Sequence, residues 1–259
     1  MQRLIVCLMA LLLGTPLVWW LQAKEAGAEG AGDEDVRRSI LQGSWYPAEA
    51  YPLRRLIQNR LSEATPPEIQ GRIRALVVPH AGYAYSGGVA AGAYRLIRKG
   101  AFDRVVLIGP SHRWGFEGVS VARHAAYETP LGLVPVDRAA ADRLIASSRT
   151  IRFVPEAHAA EHSLEIQLPF LQVVLGSFRV VPVVMGSQDL NSCRVLAEGL
   201  SGVLGDADKT LIVASTDLSH YHDDETARAL DGVFIRHLAA FDPEGLIGAL
   251  AAGPCEACA

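Results

Sequence analysis

Four apolar runs, separated by longer segments with helical periodicity, are the feature that most constrains how this chain folds. The runs are RIRALVVP, RVVLIGP, FRVVPVVMG and TLIVASTD, at residues 72–79, 104–110, 178–186 and 210–217. Their apolar residues follow one another without polar alternation, which is typical of strands that are covered on both faces. Such strands alternating with helices predict an α/β fold, a single domain with a largely parallel central sheet flanked by helices.

Size and charge exclude several classes of protein. The chain has 259 residues, of which 50% are hydrophobic, enough to form the core of one large α/β domain. Its formal net charge of −4 provides no overall basic field, so we expect no nucleic-acid partner. Four cysteines are too few for a fold of this size to be built on disulfides.

The N-terminus is predicted to stand apart from the folded domain, which we place at residues 39–259. Residues 1–23 contain the apolar run Leu4–Leu21 and resemble a signal peptide or a membrane anchor, with a buried core helix as the alternative. Residues 24–38, rich in Ala, Gly and acidic side chains, predict a flexible linker. We therefore expect a protein that is exported to the periplasm or the extracellular space, or anchored, rather than cytoplasmic. Contact with a membrane is expected only through this segment.

Helical periodicity and turn residues place the remaining elements. The predicted helices after the first apolar run cover residues 87–100, 138–147, 226–240 and 243–252. Residues 118–136 predict a short hairpin. The segment EHSLEIQLPFLQVVLG predicts a further helix with a kink or a late start, because Pro169 lies inside it.

The segment HAGYAYSG, residues 80–87, predicts a tight loop beside a site. Gly82 follows His80 and would permit a positive φ there. Tyr83 and Tyr85 are candidates for the lining of the cleft, with plain turn chemistry and outward-facing tyrosines as the alternative.

Histidines follow three of the predicted strands, and this pattern predicts a shared site. His80 and His112 come directly after the first two runs, and His220 follows the fourth together with Asp217. Ligand sites in open α/β sheets lie outside the carboxyl ends of the strands. Imidazoles from separate strands suit a divalent transition metal, either iron with two histidines and a carboxylate or zinc with three protein ligands and water. The spacing leaves the metal and its third ligand open.

A second polar cluster lies in EAHAAEHSLEIQ. His158 and His162 have the i, i+4 spacing of a zinc-binding helix, but the surrounding letters do not match that motif. The interpretation we favour is a helix start near the site, with Glu161 or Glu165 as acceptors that orient histidines. Acidic residues that complement the helix dipole are the alternative.

The C-terminal letters GPCEACA place Cys255 and Cys258 in a C-x-x-C pattern. A redox pair, half of a zinc site and a disulfide are all compatible with it. The chain contains one such pattern, which excludes a structural four-cysteine zinc site within this chain.

Several of these motifs together resemble one known family. They are GSWYPA (43–48), PHAGYAYSG (79–87), GPSH (109–112), TPLG (129–132), EHSLEIQLPF (161–170), STDLSHY (215–221) and EAC (256–258). In this order they resemble the Memo-like family, whose bacterial members are called AmmeMemoRadiSam system protein B. The fold of that family is similar to the class III extradiol ring-cleavage dioxygenases, which use non-haem iron, so the resemblance implies a class III extradiol dioxygenase-like fold.

The resemblance also implies roles for individual residues. It implies metal ligation by His80, His112 and Cys258, and a catalytic acid/base role for His220. Residues expected in the cleft or around the ligands are Tyr83, Tyr85, Glu161, His162, Glu165 and Asp217. The expected cofactor is a divalent transition metal, iron or copper, with zinc as a further option. A cysteine in place of the dioxygenase carboxylate favours the softer metals copper and zinc.

The C-terminus departs from the family pattern, and the reaction stays open. Family members read Cys-Gly and continue, whereas this chain reads Cys258-Ala259, so we expect a C-terminal part to be missing.

Three functions fit these residues: a metal-dependent, redox-active oxidoreductase related to the dioxygenases, a non-catalytic binding module for a peptide or small molecule, and a metal-assisted hydrolase. The small-molecule or peptide ligand itself is not identified by the sequence.

Overall fold

The apolar runs form strands and the segments between them form helices in a computed structural model, which describes residues 35–204 and 209–258. The strands are β1 (Val36–Arg37), β2 (Ala75–Val78), β3 (Arg104–Pro110), β4 (Val119–Val121), β5 (Ala126–Thr129), β6 (Gly132–Pro135), β7 (Ile151–Arg152), β8 (Arg179–Met185) and β9 (Thr210–Ser215). The helices are α1 (Ala50–Glu63), α2 (Tyr83–Tyr94), α3 (Arg138–Ser147), α4 (Pro155–Ala159), α5 (Leu168–Leu175), α6 (Leu190–Val203), α7 (Asp224–Ala239) and α8 (Pro243–Ala252).

The predicted signal or anchor segment, residues 1–23, and most of the predicted linker lie outside the described residues. In the described part of the chain, no helix is long and apolar enough to cross a membrane. The residues from Arg37 onward form one compact unit.

The central sheet has six strands in the order β2-β9-β3-β8-β4-β7. The first four of these are parallel to one another, whereas β4 runs antiparallel to β8 and β7 runs parallel to β4. In the middle of the sheet, Val105 lies opposite both Val180 and Leu211. The prediction of an α/β domain with a largely parallel sheet is confirmed. The edge of the sheet formed by β4 and β7 differs from it, because β4 runs antiparallel to its neighbour β8.

Helices cover both faces of this sheet, because alternate residues of each strand point to opposite sides. One face packs against Leu53, Tyr94 and Phe170, which come from α1, α2 and α5. The other face packs against Leu144 and Leu196, from α3 and α6. Full burial of one such side chain stabilises the fold by about 1.5–3 kcal/mol.

Helix α2 begins earlier in the chain than predicted. α2 begins at Tyr83, and the carbonyl of Gly82 accepts hydrogen bonds from the N–H groups of Tyr85 and Ser86. The predicted loop at residues 80–87 and its positive φ are therefore wrong, since Gly82 has φ −55°. The physical reason is tertiary, because the Tyr83 N–H donates to the carbonyl of Trp45 at 3.0 Å and the first turn closes there.

The late helix start predicted at Pro169 is confirmed. A 3₁₀ turn covers Glu165–Gln167, and α5 begins at Leu168, so the proline occupies the first turn. A proline is tolerated there because its missing N–H would have no partner within the helix. The predicted hairpin at residues 118–136 is confirmed for β5 and β6, which pair antiparallel, whereas β4 joins the central sheet.

A buried ion pair joins the start of the compact unit to the turn before α5. The Glu165 side chain is completely buried and accepts hydrogen bonds from the Arg37 guanidinium and, at 2.6 Å, from the Tyr46 hydroxyl. The N–H groups of Ile40 and Leu41 also donate to this carboxylate. Glu165 was predicted to orient a histidine, but its carboxylate holds this N-terminal segment instead.

Replacing Glu165 by alanine leaves the Arg37 charge buried without its partner. We expect Glu165→Ala to lower the free energy of unfolding by about 3–5 kcal/mol, measured by chemical denaturation. Glu63→Ala is the control, because the Arg60–Glu63 pair is exposed and 3.4 Å apart, and its loss should cost under about 1 kcal/mol. Equal losses in the two variants would contradict a structural role for the buried pair.

Candidate metal centre

Three polar residues leave neighbouring strands at one edge of the sheet. His80, His112 and Asp217 each lie two residues beyond the last residue of a strand, of β2, β3 and β9 respectively. These strands are adjacent and parallel, so their carboxyl ends meet at the same edge. A cleft of about 470 Å³ opens there, and its walls include these three residues, His220 and Cys258.

A third histidine completes a compact group of imidazoles. His162 lies between α4 and α5, and its ring centroid is 4.3 Å from that of His112 and 5.3 Å from that of His80. The His80 and His112 centroids are 5.0 Å apart. One nitrogen from each ring lies within 4.8 Å of the other two, a geometry that can hold a metal ion. His162 was predicted to lie around the ligands, and the structure places it among the candidate ligands.

A second group of possible ligands shares His80. The ligand atoms of His80, Asp217 and Cys258 also lie within 4.8 Å of one another. The predicted ligand set of His80, His112 and Cys258 is thus brought into one cleft, but its members are divided between two compact groups. Asp217, which was predicted to lie around the ligands, is close enough to be one of them.

The imidazole of His80 presents a free nitrogen to the cleft. Its Nδ1 lies 3.2 Å from Ser215 Oγ, and that hydroxyl donates its proton to the carbonyl of Ser163 at 2.6 Å. Ser215 must therefore accept from His80 Nδ1–H, which leaves Nε2 with its lone pair. His80 Nε2 is buried and has no hydrogen-bond partner within the described residues. Burial lowers the pKa of His80 to about 4, so the ring is neutral at pH 7.

Glu161 joins the two loops that carry His112 and His162. Its carboxylate accepts from the backbone N–H of His112 at 2.7 Å, from His112 Nδ1 at 2.9 Å and from the N–H groups of His162 and Ser163 at 2.9 Å. Burial opposes the charged form of Glu161, but these hydrogen bonds outweigh it and hold the pKa of Glu161 at about 2. Glu161 was predicted to orient a histidine, and its carboxylate contacts His112 in that manner.

The environment of His112 favours the protonated ring, in contrast to that of His80. Hydrogen bonds to Cys258 and to Glu161 raise the pKa of His112 to about 9. Burial lowers the pKa of His162. In the metal-free cleft at neutral pH, His80 and His162 are therefore neutral donors, and His112 carries a proton that a metal ion must displace.

His220 stands beside the candidate ligands. Its Nε2 is 3.8 Å from Cys258 Sγ and 3.8 Å from Asp217 Oδ2. The side chain is 41% exposed, so it reaches both the cleft and solvent. The next residue, Tyr221, has φ 63° and a fully exposed side chain at the mouth of the cleft.

The two tyrosines predicted to line the cleft, Tyr83 and Tyr85, lie in different surroundings. Tyr85 is exposed and lies in the wall of the cleft. Tyr83 points into the core, where its hydroxyl donates to the carbonyl of Ile166 at 2.8 Å. The two tyrosines are two positions apart in helix α2, which places their side chains about 200° apart around the helix axis, on nearly opposite sides.

The i, i+4 interpretation of His158 and His162 is wrong. α4 ends at Ala159, so the two histidines are not on one helix. His158 is buried, and its ring bonds to Ser120 Oγ and to the Tyr127 hydroxyl, each at 2.9 Å. Burial lowers its pKa to about 3, so this ring is a neutral core residue.

The C-x-x-C residues lie in different surroundings. Cys258 faces the cleft, whereas Cys255 is buried beside Phe234 and Ala249. Both are free thiols in the structure.

Comparison with known proteins agrees with the motif resemblance. A family model described as Memo-like protein matches residues 37–258. A MEMO1 family protein of Ignicoccus hospitalis is 40% identical over 222 residues, which cover 82% of this chain and 78% of the relative. A MEMO1 family protein of Thermotoga maritima is 35% identical over 218 residues, 80% of this chain and 78% of the relative. A MEMO1 family protein of Sulfolobus acidocaldarius is 34% identical over 236 residues, which cover 86% of this chain and 83% of the relative.

The hydrogen bonds of His112 predict an unusual titration in the metal-free protein. We expect its imidazole to lose a proton near pH 9, as followed by NMR. Glu161→Gln removes the negative charge beside Nδ1, so the pKa of His112 should fall toward the ordinary value of about 6.5. An unchanged midpoint in Glu161→Gln would contradict the role of Glu161.

Proposed function

The chain belongs to the Memo-like family, and we propose that its histidine cleft binds one divalent transition metal ion for oxidoreductase chemistry on a small ligand. The observation that carries the proposal is the free Nε2 of His80, a buried nitrogen without a hydrogen-bond partner on a ring that lies beside two further imidazoles. A buried polar nitrogen without a partner costs free energy, which a metal ligand bond would recover.

The donor set fits iron or copper, with zinc as a further option. His80 and His112 supply imidazole nitrogens, and Cys258 supplies a soft sulfur donor at the same cleft. Glu161 holds Nδ1 of His112, so that the other nitrogen of the ring faces the cleft. Asp217 Oδ1 accepts from the N–H of His80 at 2.6 Å and fixes the backbone just beyond β2.

The residues around these donors support chemistry on a ligand. Bound iron or copper would supply Lewis-acid and one-electron redox chemistry, whereas zinc would supply Lewis-acid chemistry alone. His220 is placed to take a proton from a ligand in the cleft, because its Nε2 faces the cleft and its ring also reaches solvent. The Trp45 ring packs against His162 with centroids 4.7 Å apart and gives the cleft an apolar wall that suits a small organic ligand or a peptide side chain.

The apolar run Leu4–Leu21 supports a location outside the cytoplasm, exported or anchored through residues 1–23. Mass spectrometry of the mature protein from its native host tests this part of the proposal. An intact Met1 on a cytoplasmic protein would overturn it.

Measuring the metal content of the purified protein tests directly whether the cleft binds a metal ion. Protein purified without chelators should contain one transition metal ion per chain by elemental analysis. His80→Ala should abolish binding, because it removes the free nitrogen, whereas His220→Ala should keep the metal and lose turnover of a ligand. Metal-free wild-type protein that also takes up no added iron, copper or zinc would overturn the proposal.

Metal affinity should depend on pH through His112. Its pKa of about 9 means that a proton competes with the metal throughout the neutral range. Binding should therefore tighten as the pH rises from about 6 to about 9, by up to about tenfold per pH unit for one displaced proton. In Glu161→Gln the plateau should be reached at a lower pH, and calorimetry in buffers of different ionisation enthalpy counts the proton released.

A further inference from the structure

We propose that Gly109 acts as a positioning residue for His80, although it does not line the cleft. Because Gly109 has no side chain, Ser163 can lie directly against strand β3. The carbonyl of Ser163 then fixes the direction of the Ser215 hydroxyl, and that hydroxyl selects the ring nitrogen that His80 presents to the cleft. The inference concerns the tautomer of His80 in the metal-free protein, and only its consequence for metal binding rests on the proposed function.

The approach of Ser163 to β3 leaves no room for a side chain at Gly109. A Cβ on Gly109 would lie 2.5 Å from Ser163 Oγ, 3.0 Å from Ser163 Cβ and 3.1 Å from Leu164 Cδ2. Non-bonded carbon atoms prefer about 3.5–4.0 Å, so a methyl group there would push the segment away from the strand. Ser163 is completely buried, and its hydroxyl donates to the carbonyl of Pro110 at 3.1 Å, which fastens the segment at this point.

The proton positions around Ser215 follow from its neighbours. The carbonyl oxygen of Ser163, 2.6 Å from Ser215 Oγ, accepts and cannot donate, so the hydroxyl proton points to it. Gln167 Nε2 donates to the same hydroxyl at 2.8 Å. The amide of Gln167 cannot be turned round, because its NH₂ group also donates to the carbonyl of Pro79 at 2.9 Å. The remaining lone pair of Ser215 faces His80 Nδ1 at 3.2 Å, so Nδ1 carries the ring proton.

Displacing Ser163 would release this arrangement. Without the carbonyl nearby, the Ser215 hydroxyl can turn and donate to His80 Nδ1, and the ring proton then occupies Nε2. A protonated Nε2 has no lone pair for a ligand in the cleft. Gly109, Ser215 and His80 lie on or just beyond β3, β9 and β2, which are neighbours in the sheet. A substitution on one strand therefore changes the donor atom that follows another.

The segment that rests on Gly109 also orients His112. Glu161, two residues before Ser163, accepts from the backbone N–H and from Nδ1 of His112, and from the N–H of Ser163. The two histidines at this edge of the sheet thus take their orientation from one three-residue segment, residues 161–163. The space above Gly109 is what allows that segment to reach both.

NMR of the metal-free full chain with 15N-labelled histidine tests this inference, because the protonated and the unprotonated nitrogen of one ring give separate resonances. The variants are Gly109→Ala, Ser215→Ala and Ser163→Ala, and His80→Gln identifies the resonances of His80. Gly92→Ala is the matched control. Among the residues that the structure describes, a Cβ on Gly92 would meet nothing within 4 Å outside the backbone of its own helix.

Gly109→Ala and Ser215→Ala should each lower the ratio of the Nδ1–H to the Nε2–H form of His80 by about five- to tenfold, the effect of losing one hydrogen bond. Ser163→Ala should keep the wild-type ratio, because it removes the hydroxyl and retains the carbonyl. Gly92→Ala should also match wild type. Adding Ser163→Gly to Gly109→Ala should restore the ratio, since it removes the two atoms closest to the new methyl group.

A folded Gly109→Ala chain with the wild-type tautomer ratio would overturn the inference, and so would a loss in Ser163→Ala as large as that in Ser215→Ala. If circular dichroism shows that Gly109→Ala does not fold, the double variant of Gly109→Ala with Ser163→Ala replaces it. That variant keeps the 3.0 Å contact and loses the 2.5 Å contact, so the ratio should still fall, and a wild-type ratio there rejects the role of Gly109.

These results are independent of metal binding. A chain that shows the predicted ratios but takes up no iron, copper or zinc keeps this inference and loses the proposed function. A chain that binds a transition metal and shows the same ratio in Gly109→Ala as in wild type keeps the proposed function and loses this inference.

Discussion

The buried guanidinium of Arg37 is the interaction on which the candidate site depends. It pairs with Glu165, and it also donates to the backbone carbonyls of His158 and, at 2.7 Å, of Glu161. These acceptors span the segment that connects α4 to α5, which has little regular structure of its own. A buried charge is costly unless every donor has a partner, so the segment can adopt few other conformations. The loop that presents Glu161 and His162 is therefore held by one side chain from the beginning of the compact unit.

The electrostatics of the cleft follow from that placement. Glu161 is anionic and buried under four hydrogen bonds, and it stabilises a proton on His112. His80, a few ångströms away, has a hydroxyl for a partner and is neutral. Two histidines at the same edge of the sheet thus differ in protonation, because burial lowers the pKa of His80 whereas hydrogen bonds to Cys258 and Glu161 raise the pKa of His112. At the proposed metal site, His80 would thus bind an ion without losing a proton, whereas His112 would first have to release one.

The sheet and two of its histidines could be predicted from the sequence, because unbroken Val/Ile/Leu runs identify parallel strands and the residues after them share an edge. The place of His162 among the donors could not, since it lies on an irregular loop whose course is set by Arg37, far away along the chain. The start of α2 was misplaced for a related reason. Glycines and tyrosines in sequence resemble a turn, but the contact of Tyr83 with the Trp45 carbonyl begins the helix there. Local propensity fails where a distant contact decides the backbone.

Strand register has a consequence for how this site tolerates changes in chain length. Val78 of β2 lies opposite Ser215 of β9, so the residues two positions further on, His80 and Asp217, arrive side by side. The bond between Ser215 and His80 that sets the tautomer depends on the same alignment. Inserting or deleting one residue within β2 or β9 would turn the following side chain to the other face of the sheet. The position of the site residues depends on the number of residues between them and the paired part of the sheet. Insertions or deletions within β2 or β9 should therefore disrupt the site, whereas changes in the length of surface loops between helices should not.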